Sequence, residues 1–147
     1  MLEKKEIQKL IRAALEQRKN AYAPYSFFRV GAALLTESGE VYTGCNIENA
    51  AYTPTNCAER TAFFKAVSEG VRTFKAICIA GGMNGELTDY TAPCGVRRQV
   101  MMEFCSPEEF EIILAKGEDD YKMYKLKDLM PLGFGPGNLR EGRYEEV

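Results

Sequence analysis

Histidine and tryptophan are absent from this sequence. Without an imidazole, any metal centre or proton-transfer site must be assembled from cysteine and carboxylate side chains. Basic residues are not in excess: 19 Lys and Arg stand against 21 Asp and Glu, for a formal net charge of −2. That balance argues against the basic stripe with which nucleic-acid binders neutralise phosphate. No apolar run nears the roughly 20 residues of a membrane span. Met1-Leu2-Glu3-Lys4-Lys5 leads into a charged helix and does not read as a secretory signal. The five cysteines are odd in number and irregularly spaced, so they do not form a disulfide framework. Internal repeats, low-complexity segments and linkers are also missing. The expectation is one reduced, cytoplasmic, soluble domain over residues 1–147, without nucleic-acid or membrane partners and long enough to bury a core unaided by disulfides.

The apolar pattern defines the elements. Ile7, Leu10, Ile11, Ala14 and Leu15 recur at helical spacing, so Glu3 to Lys19 is predicted as an amphipathic helix. Tyr22 to Ser26 is a loop, because Pro24 disfavours helix at the residue before it. Val30–Thr36 and Glu40–Thr43 are short strands around a Glu37-Ser38-Gly39 turn. Helices are predicted over Cys57–Glu69 and Cys94–Phe104. Further strands are predicted over Phe74–Ala80, Phe110–Ala115 and Asp120–Leu126, followed by a helical turn at Lys127–Met130. Gly81 to Thr91 reads as a loop. Alternating strands and helices favour an α/β layer structure with a partly parallel sheet.

Two stretches carry chemistry. Asn56-Cys57-Ala58-Glu59-Arg60 and Pro93-Cys94-Gly95-Val96-Arg97-Arg98 each put a cysteine where a helix begins. The positive end of the helix dipole favours the thiolate there. A carboxylate two residues after the first cysteine suggests acid–base work beside a metal that activates water. Plainer readings exist for each residue. Thr55 or Asn56 could be the N-cap, with Glu59 completing a capping box. Phe28 could be core, and Asn46 and Glu48 could merely end a strand. Tyr52 could be a core or interface tyrosine, and Phe134 a local anchor. Cys45, Cys78 and Cys105 read most simply as small buried apolar residues.

Four ordered stretches resemble the small, homotetrameric cytidine deaminases that act on free nucleosides. They are Ala23–Ala33, Gly44–Ala50, Cys57–Ala62 and Leu129–Pro136. The resemblance implies a three-layer α/β/α fold with a mixed five-stranded sheet, a zinc cofactor, a pyrimidine nucleoside substrate and a place in pyrimidine salvage. It also implies roles. Phe28 lies against the pyrimidine, Asn46 and Glu48 bind the ribose hydroxyls, and the Ala58 N–H helps hold the base. Glu59 shuttles the proton, while Tyr52 and Phe134 reach into a neighbouring subunit's site. Cys57 and Cys94 bind zinc, and Arg60 hydrogen-bonds the ligand sulfurs.

Arg97 departs from that pattern, standing where the family's third cysteine ligand would be. A catalytic zinc normally has three protein ligands and one open position. Arginine stays protonated and cannot be one of them. Cys105 is roughly 12 Å further along the helix axis, too far to substitute. Exchanging a thiolate for a guanidinium makes a zinc-bearing cluster net positive, whereas the zinc-free cluster keeps the family's formal total. The expectation is therefore weak or absent zinc binding. A working cytidine or deoxycytidine deaminase, a nucleoside-binding relative without turnover and a deaminase of another nucleoside all remain open at this stage.

Overall fold

The computed structural model describes residues 2–139; position 1 and positions 140–147 of the expected 1–147 domain lie outside the described residues. A five-stranded sheet in the order β2-β1-β3-β4-β5 organises the chain. Its strands are β1 (Phe28–Thr36), β2 (Val41–Cys45), β3 (Phe74–Met83), β4 (Glu111–Gly117) and β5 (Asp120–Lys125). β1 pairs antiparallel with β2 and β3, β3 pairs parallel with β4, and β4 pairs antiparallel with β5. The sheet is mixed, as expected. Its one parallel pair is joined by the chain segment that carries the helix start at Cys94, since parallel strands need a crossover.

Residues alternate strictly across this sheet because successive strand side chains point to opposite faces. Ala33, Leu35, Ala76, Cys78, Ala80 and Ile113 pack against Ile7, Leu10, Ile11 and Ala14 of helix α1 (Lys4–Gln17). Val30, Ala32, Leu34, Ile77, Ile79, Ile112 and Leu114 face the other way. They meet Ala58, Ala62, Phe63 and Ala66 of α2 (Ala58–Ser68) and Met101 and Met102 of α3 (Gly95–Phe104). Three layers result, with helices on both faces, in the α/β/α arrangement. A short α4 (Leu126–Leu129) follows β5.

Some boundaries differ from the sequence expectation. α1 stops at Gln17 and continues as a 3-10 turn over Arg18–Asn20. β3 runs on through Gly81 and Gly82 to Met83, because the start of β1 pairs with it from Phe28↔Met83 onward. Gly82 is required there: a Cβ would lie 1.6 Å from the Glu86 carbonyl oxygen, where the following turn folds back. Gly44 has a similar duty under α2. A Cβ on it would lie 2.4 Å from the Ala58 carbonyl oxygen and 2.6 Å from the Ala62 nitrogen. Its absence lets the first turn of α2 rest directly on β2.

Candidate active site

Each helix start presents its cysteine as the N-cap residue. Cys57 precedes α2 and Cys94 precedes α3, both with extended backbone and neither with a side-chain cap bond. This corrects the expected N-cap at Thr55 or Asn56. Nor does Glu59 close a capping box. Its side chain is 1% exposed and its Oε2 accepts a hydrogen bond from Arg97 Nη1 at 3.0 Å. A buried carboxylate is stabilised far more by a guanidinium than by a backbone N–H that water could reach. The Asn56 amide instead donates to Thr61 Oγ1 at 3.1 Å.

One cavity of about 380 Å³ opens above the start of α2. Phe28, Asn46, Glu48, Cys57 and Ala58 line it together with Ser26, Thr55, Thr91, Ala92 and Arg97. Five of the ten residues given roles from the sequence thus converge on one space. Ala58 is the first residue of α2, so its N–H has no partner within the helix. Glu59 and Cys94 are not on that wall. Glu59 lies behind it, joined to the cavity through Arg97, whose side chain is 23% exposed.

Tyr52 lines an adjoining cavity of about 400 Å³ with Tyr25, sharing Ser26, Glu48 and Thr55 with the first. Tyr52 is 73% exposed and holds a left-handed φ of 61°. Phe134 is 56% exposed, and its carbonyl accepts a hydrogen bond from Gln99 Nε2 at 2.8 Å. Neither residue lines the first cavity within the chain.

Asn46 and Glu48 do more than face the cavity. Asn46 Oδ1 accepts from the Val30 N–H at 2.9 Å, and its Nδ2 donates to the Phe28 carbonyl at 2.7 Å. It therefore clamps the strand residues that carry the Phe28 ring. Glu48 accepts from the N–H groups of Tyr25 at 3.0 Å and Ser26 at 3.1 Å, and from the Ser26 hydroxyl. Burial opposes its ionisation, but these donors together outweigh it and hold its pKa below the usual carboxylate value. Thr91 and Ala92 are not singled out by the sequence, and Thr55 only as a candidate N-cap. Their only signal is adjacency to Cys57 and Cys94 along the chain.

The electrostatics are those of a cluster of opposite charges at two helix starts. Burial pushes Glu59 above the ordinary carboxylate range, while Arg97 and then Arg60 pull it back. Arg97 is raised despite burial, chiefly by the charge of Glu59. Burial and Glu59 push the Cys57 thiol up, even though Arg60 Nε donates to its sulfur at 3.2 Å. For Cys94, burial works against ionisation, yet the Arg97 N–H and guanidinium outweigh it and lower the thiol.

As a zinc site the donor set does not fit. Two thiols and a guanidinium leave a catalytic zinc one protein ligand short. Among the described residues, no three His, Cys, Asp or Glu side chains are grouped to hold a metal ion. Cys78 packs on the α1 face of the sheet, opposite the site, and Cys105 sits at the far end of α3. Cys45, Cys78 and Cys105 are all buried, in keeping with their reading as small apolar residues.

Comparison with known proteins places this geometry. Residues 4–111 match the model of the cytidine and deoxycytidylate deaminase zinc-binding region, a span that includes Cys57, Glu59, Cys94 and Arg97. The chain is 47% identical over 134 residues to a cytidine deaminase of Sporosarcina psychrophila, covering 91% of this chain and 95% of that protein. It is 44% identical over 138 residues to a probable cytidine deaminase of Dictyostelium discoideum, covering 94% and 90% respectively. Among solved structures, a cytidine deaminase from Burkholderia pseudomallei superposes with a TM-score of 0.78 at 47% identity. That superposition covers 86% of this chain and 97% of the other.

Proposed function

This chain belongs to the cytidine and deoxycytidylate deaminase family, and from that membership we propose that it takes a pyrimidine nucleoside and hydrolyses cytidine to uridine and ammonia. The observation that carries the reading is the convergence of Phe28, Asn46, Glu48, Cys57 and Ala58 on one cavity. Phe28 lies against the base, and the free N–H of Ala58 hydrogen-bonds it. Asn46 and Glu48 meet the ribose hydroxyls, Asn46 also fixing the strand that carries Phe28.

Replacing the 4-amino group by oxygen requires water to add at C4, N3 to be protonated and ammonia to leave. One carboxyl within reach of base and water can carry that proton. We assign that role to Glu59, which follows Ala58 in the chain and is joined to the cavity through Arg97. Its Oε2 is engaged by Arg97, and Oε1 is buried without a hydrogen-bond partner among the described residues, so Oε1 is the oxygen left to take up and pass on that proton. Zinc, the metal of the matched family region, supplies an activated water where three ligands hold it. Cys57 and Cys94 are the two sulfurs offered here, and no step is assigned to a metal in this chain.

The same reading makes the protein a cytoplasmic homotetramer acting in pyrimidine salvage. Five free cysteines suit a reducing compartment, and no described helix is long and apolar enough to cross a membrane. Exposed Tyr52, Leu132 and Phe134 suit burial against a second copy, through which Tyr52 and Phe134 would reach a neighbouring site. Incubating cytidine with the protein and separating the products tests the reaction. Uridine and ammonia should form in equal amounts, and Glu59→Gln should abolish both. An unchanged rate in Glu59→Gln would refute the assignment.

A further inference from the structure

We propose that Arg97 takes the place of a metal in this chain, leaving a metal-free cavity whose donor-only wall prefers a pyrimidine nucleoside with oxygen at C4 over one with an amino group there. The inference rests on the reading above, in which the base occupies the end of the cavity formed by Cys57, Ala58 and Arg97.

Three observations lead to it. Arg97 lies one helical turn beyond Cys94, on the same face of α3, so its side chain leaves the helix start beside that sulfur. It does not point idly into solvent. Its Nη1 reaches across to Glu59 on α2 at 3.0 Å, and the carboxylate is otherwise sealed from water. A cation tethered to α3 thus bridges the two helix starts and neutralises the buried acid without any ion. Among the described residues, no three His, Cys, Asp or Glu side chains are grouped to hold an ion in its place.

The wall this creates has a chemical sign. Guanidinium carries five N–H donors and no acceptor. One donor is used by Glu59, and the part-exposed remainder lines the cavity. A carbonyl at C4 accepts such a bond. A 4-amino group brings two more donors to the same place, so a guanidinium aimed at the C4 substituent finds no acceptor there. Hydrogen bonds to charged groups discriminate by about ten- to a hundredfold in affinity, so uridine should bind that much more tightly than cytidine.

The test combines metal content with direct binding. The purified protein, Arg97→Cys and Arg97→Lys are analysed for zinc and titrated calorimetrically with uridine and with cytidine. The parent should carry almost no zinc and prefer uridine at least tenfold. Arg97→Lys, still a donor-only cation, should keep that preference in part. Arg97→Cys should acquire zinc, lose the preference and deaminate cytidine at least a hundredfold faster. Near-stoichiometric zinc in the parent, or cytidine bound as tightly as uridine, overturns the proposal. If Arg97→Cys binds nucleosides and the parent binds neither, Arg97 is an obstruction and only this inference falls. If no variant binds either nucleoside, the nucleoside reading itself falls and takes this inference with it.

Discussion

Replacing Arg97 by methionine isolates the energetics of the paired charges. The substitution keeps much of the side chain's bulk but removes every donor, leaving Glu59 with a side chain only 1% exposed and both oxygens unpartnered. Removing one member of a buried ion pair costs roughly 3–5 kcal/mol. Arg97 is itself 23% exposed, so the lower figure, about 3 kcal/mol, applies. At about 4 °C per kcal/mol for a chain of this size, the melting temperature should fall by about 12 °C. The loss should also depend on pH. Burial already raises the Glu59 pKa, and without Arg97 the opposing pull is reduced to that of its own backbone N–H and of Arg60. A carboxyl whose folded pKa exceeds its unfolded value binds more protons when folded, so stability falls as pH rises from the unfolded value of about 4.5 towards the folded one. Urea unfolding followed by circular dichroism at pH 5 and pH 8 measures both effects. The variant should lie closer to the parent at pH 5, and Glu59→Gln should remove most of the difference at pH 8. A loss of equal size at both pH values, persisting in the Glu59→Gln background, would refute the paired-charge account.

Three further outcomes are expected. Gly44→Ala forces a Cβ to within 2.4 Å of the α2 backbone, so it should destabilise the fold by at least about 2 kcal/mol in denaturant titration. The same variant should also weaken nucleoside binding, because α2 carries Cys57 and Ala58 to the cavity wall. Asn46→Ala strips two buried hydrogen bonds from the start of β1 and should cost about 1–3 kcal/mol. Its affinity for a nucleoside should fall in step with Phe28→Ala, and a normal affinity in a destabilised protein would show that Asn46 does not position Phe28. For Glu48, whose folded pKa is depressed, the contribution to stability is present above about pH 4.5 and fades as pH falls through the folded value. Glu48→Gln should therefore be less stable than the parent at pH 7 and converge with it in acid, as read by thermal melts across that range.

Most of the fold is legible because its periodicities are clean. Val30 to Leu35 and Ala76 to Ala80 are apolar on both faces, as strands covered by helices on each side must be. The heptad-like spacing of Ile7, Leu10, Ile11 and Ala14 likewise leaves one helical face to bury. Gly81-Gly82 misled the reading of β3, since two glycines ordinarily mark a loop. At Gly82 a Cβ would meet the Glu86 carbonyl of the following turn, and at Gly81 it would meet Val30 of the paired β1, so both glycines serve the strand and not a loop. Thr91 and Ala92 were invisible for another reason: lining a cavity leaves no periodic trace.

By itself the sequence determined the chemistry available: two cysteines at helix starts, one acid beside the first, no histidine, and an arginine one turn past the second. Those facts are local, set by residue type and helical spacing. Only the tertiary structure decided that Glu59 bonds to Arg97 and not to its own helix's N-cap, and that Arg97 and not Glu59 faces the cavity. That choice depends on packing α2 and α3 side by side on one face of the sheet. Their helix starts then lie close enough for a buried carboxylate to find its guanidinium partner across the gap.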